Sequence, residues 1–171
     1  VGMVMNAIAT DYYPRLAAIN KDNAKCREAV SQQGEIGAMI IAPMLTICLV
    51  FMPFVLRLLY SEQFLAANEY ISWACLGMML RLAAWIISYL FVAKAESKMF
   101  LKLELSANIF YLVFSLLGYH YISLTGLGIA FALEYVVYFL MCYLIARKRY
   151  EFKFSNSFIK CYGIQLLLVI A

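Results

Sequence analysis

Four long apolar stretches constrain the fold of this chain more than any other feature of its sequence. They run from Ile36 to Leu59, Tyr70 to Ala93, Leu103 to Ile122 and Leu124 to Ala146. Each has about 20 mostly apolar residues, the length that an α-helix needs to cross roughly 30 Å of hydrocarbon. Helices are the predicted structure, because a lipid-exposed backbone must satisfy its own hydrogen bonds and the stretches lack the alternation of barrel strands. The sequence predicts an all-α, polytopic transmembrane helix bundle.

Further apolar residues stand at both ends of the 171-residue sequence. A fifth span, residues 158–171, is predicted to be truncated, and Val1 to Ala9 has the character of the tail of an earlier span. We expect the sequence to be a fragment that is cut inside an apolar segment at each end. The share of hydrophobic residues, 65%, agrees with this interpretation because it exceeds that of a soluble globular domain.

The Lys and Arg residues between the spans predict an orientation. Two connections, Ser61 to Glu69 and the turn near His120, contain no Lys or Arg, whereas the three others are basic. The basic residues of these three are Arg15, Lys21, Lys25, Arg27, Lys94, Lys98, Lys102, Arg147, Lys148, Arg149 and Lys153. Because basic loops are retained in the cytoplasm, we expect the three basic connections to be cytoplasmic and the other two to lie outside.

Two ionisable residues, Arg81 and Glu134, lie near the middle of predicted spans. Each stands about 10 residues, or roughly 15 Å, from the predicted outer end of its helix, so that the two could pair. A charge at this depth costs a few kcal/mol and therefore needs a partner or a cavity. Two interpretations remain open. Either the residues form a structural ion pair, or Arg81 contacts an anionic substrate group while Glu134 holds the substrate or takes up a coupling ion.

A row of polar and small residues follows one face of the third span. Glu104, Asn108, Tyr111, Ser115 and Gly118 are spaced by four, three, four and three residues, which places them on one side of a helix. This row predicts a water-filled or sugar-contacting cavity, with Asn108, Tyr111 and Ser115 as candidate substrate-binding residues. The alternative is that these side chains hydrogen-bond a neighbouring helix.

The sequence contains none of the nucleotide-binding, metalloprotease or serine-hydrolase motifs that we searched for. It contains no GxGxxG, GxxxxGK[ST], HExxH or GxSxG motif, and its five cysteines form no CxxC pair. The outer connections are also too short to hold a catalytic constellation. We therefore expect neither an enzyme nor a cofactor or metal. We also expect no nucleic-acid partner, because the placement of basic residues in a membrane protein matters more than the net charge of +4.

The stretch TDYYPRLAAINKDN, residues 10–23, predicts the cytoplasmic end of an earlier span. Asp11, Tyr12 and Tyr13 are expected at the membrane interface, and Pro14 is expected to break or redirect the helix. Asp11 is also a candidate for ion coupling, with a purely interfacial role as the alternative.

One family resemblance accounts for this opening stretch. The residues TDYYPRLAAINKDNAKCREAVSQQGEIG are followed by a span with Pro43 and Pro53, which are expected to kink or locally unwind it, and then by RLLYSEQFLAANEYISW. This succession resembles the C-terminal half of bacterial polysaccharide and O-antigen flippases. They form the polysaccharide transport branch of the multidrug, oligosaccharidyl-lipid and polysaccharide exporter superfamily.

The resemblance implies a fold and an activity. Residues 1–171 would form part of the C-terminal lobe of a V-shaped, two-bundle transporter in the bacterial inner membrane. The transporter would carry a polyprenyl-diphosphate-linked oligosaccharide from the cytoplasmic to the outer leaflet by alternating access, with Arg81 engaging the diphosphate. The lipid bilayer, and the polysaccharide polymerase and chain-length machinery, would be its further partners.

Two other functions remain open at this point. A cation-coupled multidrug exporter of the same superfamily would require acidic cavity residues, for which Glu134 is the candidate. A membrane-embedded polysaccharide polymerase or transferase is opposed by the short outer connections and by the missing catalytic residues.

Overall fold

The structure, a computed structural model, describes residues 2–59 and 66–170, and the regular secondary structure of these residues is α-helical. The helices are α1 (Gly2–Ala18), α2 (Asn23–Leu59), α3 (Ala66–Ala93), α4 (Ser97–Tyr150) and α5 (Asn156–Ile170). Three of them, α2, α3 and α4, are long and apolar enough to cross a membrane, and α5 is a shorter apolar helix. The prediction of an all-α, polytopic membrane bundle is confirmed. The expected outer connection Ser61 to Glu69 falls partly outside the described residues, at positions 61–65.

Helix α4 is a hairpin of two helices. Its 54 residues would measure about 80 Å if straight, far more than a bilayer requires. Ser123 interrupts it with φ 58° and ψ −134°, a backbone conformation outside the helical region. Contacts between residues far apart in sequence, such as Glu104 with Tyr138 and Glu96 with Arg149, show that the chain reverses there. The first half is residues 97–122 and the second half is residues 124–150.

Glycines allow the two halves of α4 to approach closely. A Cβ atom at Gly126 would lie 1.9 Å from the carbonyl oxygen of Gly118, so only a residue without a side chain fits. Helix α3 packs on the second half in the same manner, because a Cβ at Gly128 would lie 2.8 Å from the carbonyl oxygen of Tyr70. Small residues at membrane helix interfaces permit such backbone contact.

Helix α1 docks on α3 through Tyr12. Tyr12 is 2% exposed, and its hydroxyl donates to the carbonyl oxygen of Ile86 at 2.9 Å, so its side chain lies in the core of the bundle. Pro14 does not break the helix, which continues to Ala18. Tyr12 and the fully buried Leu16 flank Pro14 and anchor the helix on both sides of it, which explains the continuity.

The α1–α2 and α3–α4 turns meet at one end of the bundle, here called the basic end. Asp22 caps α2, since its carboxylate accepts hydrogen bonds from the backbone N–H groups of Ala24 and Lys25, and the Lys25 bond lowers the pKa of Asp22. The ammonium group of Lys94 donates to the carbonyl oxygen of Asn20 at 2.6 Å and to Oδ1 of Asn23 at 2.7 Å. The two turns are thereby joined.

Helix α5 is held against α2 and α3. Ser155 caps α5, because its Oγ accepts a hydrogen bond from the N–H of Phe158, and Phe158 packs against Gly34 of α2. The hydroxyl of Tyr162 donates to the carbonyl oxygen of Met79 at 2.8 Å. Helix α2 continues as one helix through both Pro43 and Pro53, without the local unwinding that is one of the two expected effects, and a kink at the prolines stays a prediction.

Replacement of Tyr12 by phenylalanine is expected to lower the free energy of unfolding by about 1 kcal/mol, because the α1–α3 hydrogen bond is removed. Thermal unfolding of the purified protein in detergent measures this change. The matched control is Tyr13→Phe, since Tyr13 is 40% exposed and its hydroxyl donates no hydrogen bond to another described residue. Equal destabilisation by the two variants would contradict the assigned role of Tyr12.

Candidate functional site

The candidate site lies where α3 faces the second half of α4. A Cβ at Gly77 would lie 3.2 Å from the Cα of Ala132, and this close approach sets the register of the two helices. One turn further along α3, the guanidinium carbon of Arg81 lies 5.7 Å from the centre of the Tyr135 ring. This distance is within the range of a cation–π interaction. Arg81 is half-buried, and its side chain donates no hydrogen bond to a described residue.

Glu134 is 7% exposed and lies within electrostatic reach of Arg81 and Glu104. The ion pair considered from the sequence is not formed. Within the part of the chain that the structure describes, three ion pairs are closer than 4 Å, and none of them includes Arg81 or Glu134. The two residues are nevertheless close in the fold, because Tyr135, which follows Glu134, is the residue that Arg81 contacts.

A second carboxylate belongs to the same region. Tyr138, which is 4% exposed, donates its hydroxyl hydrogen to Oε1 of Glu104 and so joins the two halves of α4. The sequence placed Glu104 in the polar row but did not single out Tyr138. The sequence does contain a signal for Tyr138, because it stands four residues from Glu134 and therefore shares its helical face. We call Arg81, Glu104, Glu134, Tyr135 and Tyr138 the polar cluster.

The polar row of residues 97–122 faces the second half of α4 at several points. Tyr111 packs edge-to-face on Phe131 with ring centres 6.3 Å apart, and Gly118 contacts Gly126. With the Glu104–Tyr138 hydrogen bond, these contacts match the alternative in which the row binds a neighbouring helix. Tyr111 is still 39% exposed, so part of its ring remains free for another contact.

The other candidates predicted from the sequence have different surroundings. Asn108 is exposed, and its side-chain amide donates to the backbone carbonyl of Glu104 at 2.7 Å. The Ser115 hydroxyl is buried without a hydrogen-bond partner among the described residues. Asp11 lies outside the polar cluster, on α1, where its side chain is 76% exposed and contacts Arg15 at 3.5 Å.

The polar cluster has the chemistry of an anion site beside an acid. The guanidinium group of Arg81 keeps its fork of N–H donors free of the described side chains, and such a fork matches the oxygen atoms of a phosphate. Glu134 supplies a buried carboxylate in the same region, and Glu104 is already engaged by Tyr138. The guanidinium group of Arg81 is therefore available to bind an anion, whereas the carboxylate of Glu104 already accepts a hydrogen bond.

A double-mutant cycle is expected to show coupling between Glu104 and Tyr138. Tyr138→Phe should lower the free energy of unfolding by roughly 1 to 3 kcal/mol, because Glu104 loses its donor in a poorly solvated region. In the Glu104→Met background, whose side chain has no oxygen to accept this hydrogen bond, the same change should cost clearly less, as measured by unfolding in detergent. Tyr143→Phe is the control, because its hydroxyl makes no hydrogen bond to a described residue. Additive effects would contradict the coupling.

Comparison with known proteins identifies similar flippases. The chain is 28% identical over 141 residues to the Lipid III flippase of Escherichia coli (strain K12) and to the Lipid III flippase of Shigella flexneri. The matched region covers 80% of this chain and 33% of each relative, so the chain spans about a third of the length of the curated relatives that it matches. No protein-family model and no solved structure matches the chain.

Proposed function

We propose that this chain is part of a membrane flippase that carries a lipid-linked precursor from one leaflet to the other. The observation that carries the proposal is the similarity to two Lipid III flippases over 80% of the chain. The helices that are long enough to cross a bilayer support it. The names of both relatives describe transport, and we accordingly propose neither an enzymatic activity nor a cofactor.

The proposed substrate is a polyprenyl-diphosphate-linked oligosaccharide, such as an O-antigen or another surface polysaccharide repeat unit. Arg81 would bind the diphosphate, because its N–H donors are not used by a described residue and suit phosphate oxygens. Tyr111 and Asn108, both partly accessible on α4, would contact sugar, and Ser115 would offer its unpartnered hydroxyl. Glu134 would hold the substrate or take up a coupling ion, for which Asp11 is a weaker candidate.

The proposed location is the bacterial inner membrane, with the basic end of the bundle in the cytoplasm. Support comes from the clustering of Lys94, Lys98, Lys102 and the run from Arg147 to Arg149 near the α3–α4 turn and the end of α4. A polysaccharide polymerase and chain-length machinery are proposed as partners, since they would use the same lipid-linked glycan on the outer side.

The proposed orientation predicts a labelling pattern. In a cysteine-free background, a membrane-impermeant thiol reagent added to intact cells should label Ser61→Cys and leave Ser97→Cys unlabelled. The reason is that Ser61 belongs to a connection without Lys or Arg, whereas Ser97 begins α4 at the basic end. Lysed cells serve as the control, in which both positions should react. Labelling of Ser97→Cys in intact cells would reverse the orientation.

A second candidate is a cation-coupled exporter of small molecules. Glu134 favours it, because a buried carboxylate suits a cationic substrate or a coupling ion. Arg81 opposes it, since a guanidinium group in the same region repels a cation.

Reconstitution of the full-length protein in liposomes distinguishes the two candidates. A fluorescent polyprenyl-diphosphate glycan placed in both leaflets should become fully accessible to a membrane-impermeant quencher when the protein is present, whereas empty liposomes should protect the inner half. A fluorescent organic cation tested in the same vesicles is the comparison. Transport of the cation without movement of the glycolipid would exclude the proposed flippase and favour the exporter.

A further inference from the structure

A cleft at the basic end carries positive charge that the fold does not neutralise. The cleft has a volume of about 480 Å³, and its ionisable lining residues are Glu96, Lys98, Lys102 and Arg149. Arg149 donates to Glu96 at 2.5 Å, so these two charges compensate each other. Lys98 and Lys102 are exposed and form no ion pair with a described residue. The cleft, here called the lysine cleft, therefore has an excess of two positive charges.

An apolar strip begins directly beside the lysine cleft. Six residues of α4 follow one another at intervals of three or four residues and therefore share one helical face. They are Lys98, Lys102, Leu105, Ile109, Leu112 and Leu116. The four apolar side chains are 54% to 64% exposed. One face of α4 thus presents two ammonium groups followed by a continuous apolar surface about three turns long.

We propose that the lysine cleft and this strip bind an anionic phospholipid. The two lysines would contact its phosphate and headgroup, and the acyl chains would lie along Leu105, Ile109, Leu112 and Leu116. A basic pocket at the membrane surface attracts an anionic headgroup, and an apolar helix face accommodates acyl chains. The proposal does not depend on the proposed flippase activity, because none of these residues belongs to the polar cluster.

The other cleft at the basic end is a weaker candidate. It measures about 720 Å³ and its lining includes Lys25, Arg27 and Lys153, but also Glu28 and Glu35. Lys25 is further compensated by Asp22 at 3.8 Å. Because this cleft has mixed charge, it does not select an anion as the lysine cleft does.

Native mass spectrometry of the full-length protein in detergent tests the proposal. The probes are phosphatidylglycerol and phosphatidylcholine with identical acyl chains, supplied at equal concentration. The parent protein should retain phosphatidylglycerol in preference to phosphatidylcholine. The double variant Lys98→Gln with Lys102→Gln should bind phosphatidylglycerol roughly 10- to 30-fold more weakly, as expected for the loss of two surface cations.

The matched control is Lys148→Gln with Lys153→Gln, which removes the same charge from the basic end but does not alter the lysine cleft. It should retain the affinity of the parent for phosphatidylglycerol. If both double variants bind phosphatidylglycerol equally weakly, the effect comes from the general charge of the basic end, and the proposal is overturned. Unchanged binding of phosphatidylglycerol by the Lys98→Gln, Lys102→Gln variant would also overturn it. Preference of the cleft for polyprenyl diphosphate over phosphatidylglycerol would assign it to the transported lipid and also overturn it.

Discussion

Replacement of Arg81 by alanine is expected to reduce glycolipid flipping at least about 30-fold, because loss of a desolvated charge partner typically costs about 2 kcal/mol or more. The guanidinium group is half-buried between α3 and α4 and has no carboxylate within ion-pair distance among the described residues. Its substitution therefore removes the proposed phosphate-binding group and leaves no formerly paired carboxylate behind. The fold should persist, since the guanidinium group is held within the bundle mainly by the ring of Tyr135.

Two variants make this expectation specific. Arg81→Lys keeps the positive charge but not the planar fork, and it should flip at a rate between those of the parent and Arg81→Ala. Lys148→Ala, at an exposed position on α4, should flip at the parental rate. Melting temperatures in detergent and the amount of protein in the membrane must match the parent for all three. Parental flipping by Arg81→Ala at normal protein levels would remove Arg81 from the substrate site.

Hydropathy was sufficient to predict the class of fold, an all-α membrane bundle. The predicted third and fourth spans are separated by the single residue Ser123, and the structure reverses there. The reason is physical, since a run of more than about 40 apolar residues exceeds the thickness of a bilayer and must turn at its surface. The lengths of the apolar stretches indicate how many helices can cross the membrane, and this count does not depend on which helices pack together.

The rotation of each helix about its axis could not be read from one sequence. The sequence predicts Arg81 and Glu134 at the same depth, and they do lie close together, but the arginine faces Tyr135 instead of the carboxylate. Which side chains meet is decided by the close backbone contacts at Gly77 and Gly128. These contacts involve pairs of helices, and the pattern within either helix alone does not specify them.

The contacts of tyrosine hydroxyl groups also cannot be derived from the sequence. The amphipathic character of Tyr12 suits a membrane interface, and it equally suits a core position when a carbonyl group is in reach. The structure provides that carbonyl at Ile86, 74 residues away along the chain. Tyr138 and Glu104 pose the same difficulty, because their hydrogen bond requires the hairpin to be known first.

Replacement of Gly126 by leucine is expected to destabilise the fold strongly, because Gly126 makes the closest contact of the glycines in the described part of α4. Its Cβ would lie 1.9 Å from the carbonyl oxygen and 2.4 Å from the carbonyl carbon of Gly118, and both are backbone atoms that cannot rotate away. The two halves of α4 would have to separate. The free energy of unfolding should fall by about 3 kcal/mol or more, at the upper end of the cost of overpacking.

Gly163→Leu is the matched control, because among the described residues no atom beyond the adjacent residues and the nearby backbone of α5 lies within 4 Å of the Cβ position at Gly163. It should unfold at or above the parental temperature, since leucine favours a helix more than glycine does. Separation of the α4 hairpin by Gly126→Leu should also break the hydrogen bond between Tyr138 and Glu104, so the further cost of Tyr138→Phe should vanish in that background. If Gly126→Leu unfolds like Gly163→Leu, the two halves of α4 do not touch at their glycines, and the hairpin that positions the polar cluster must pack differently.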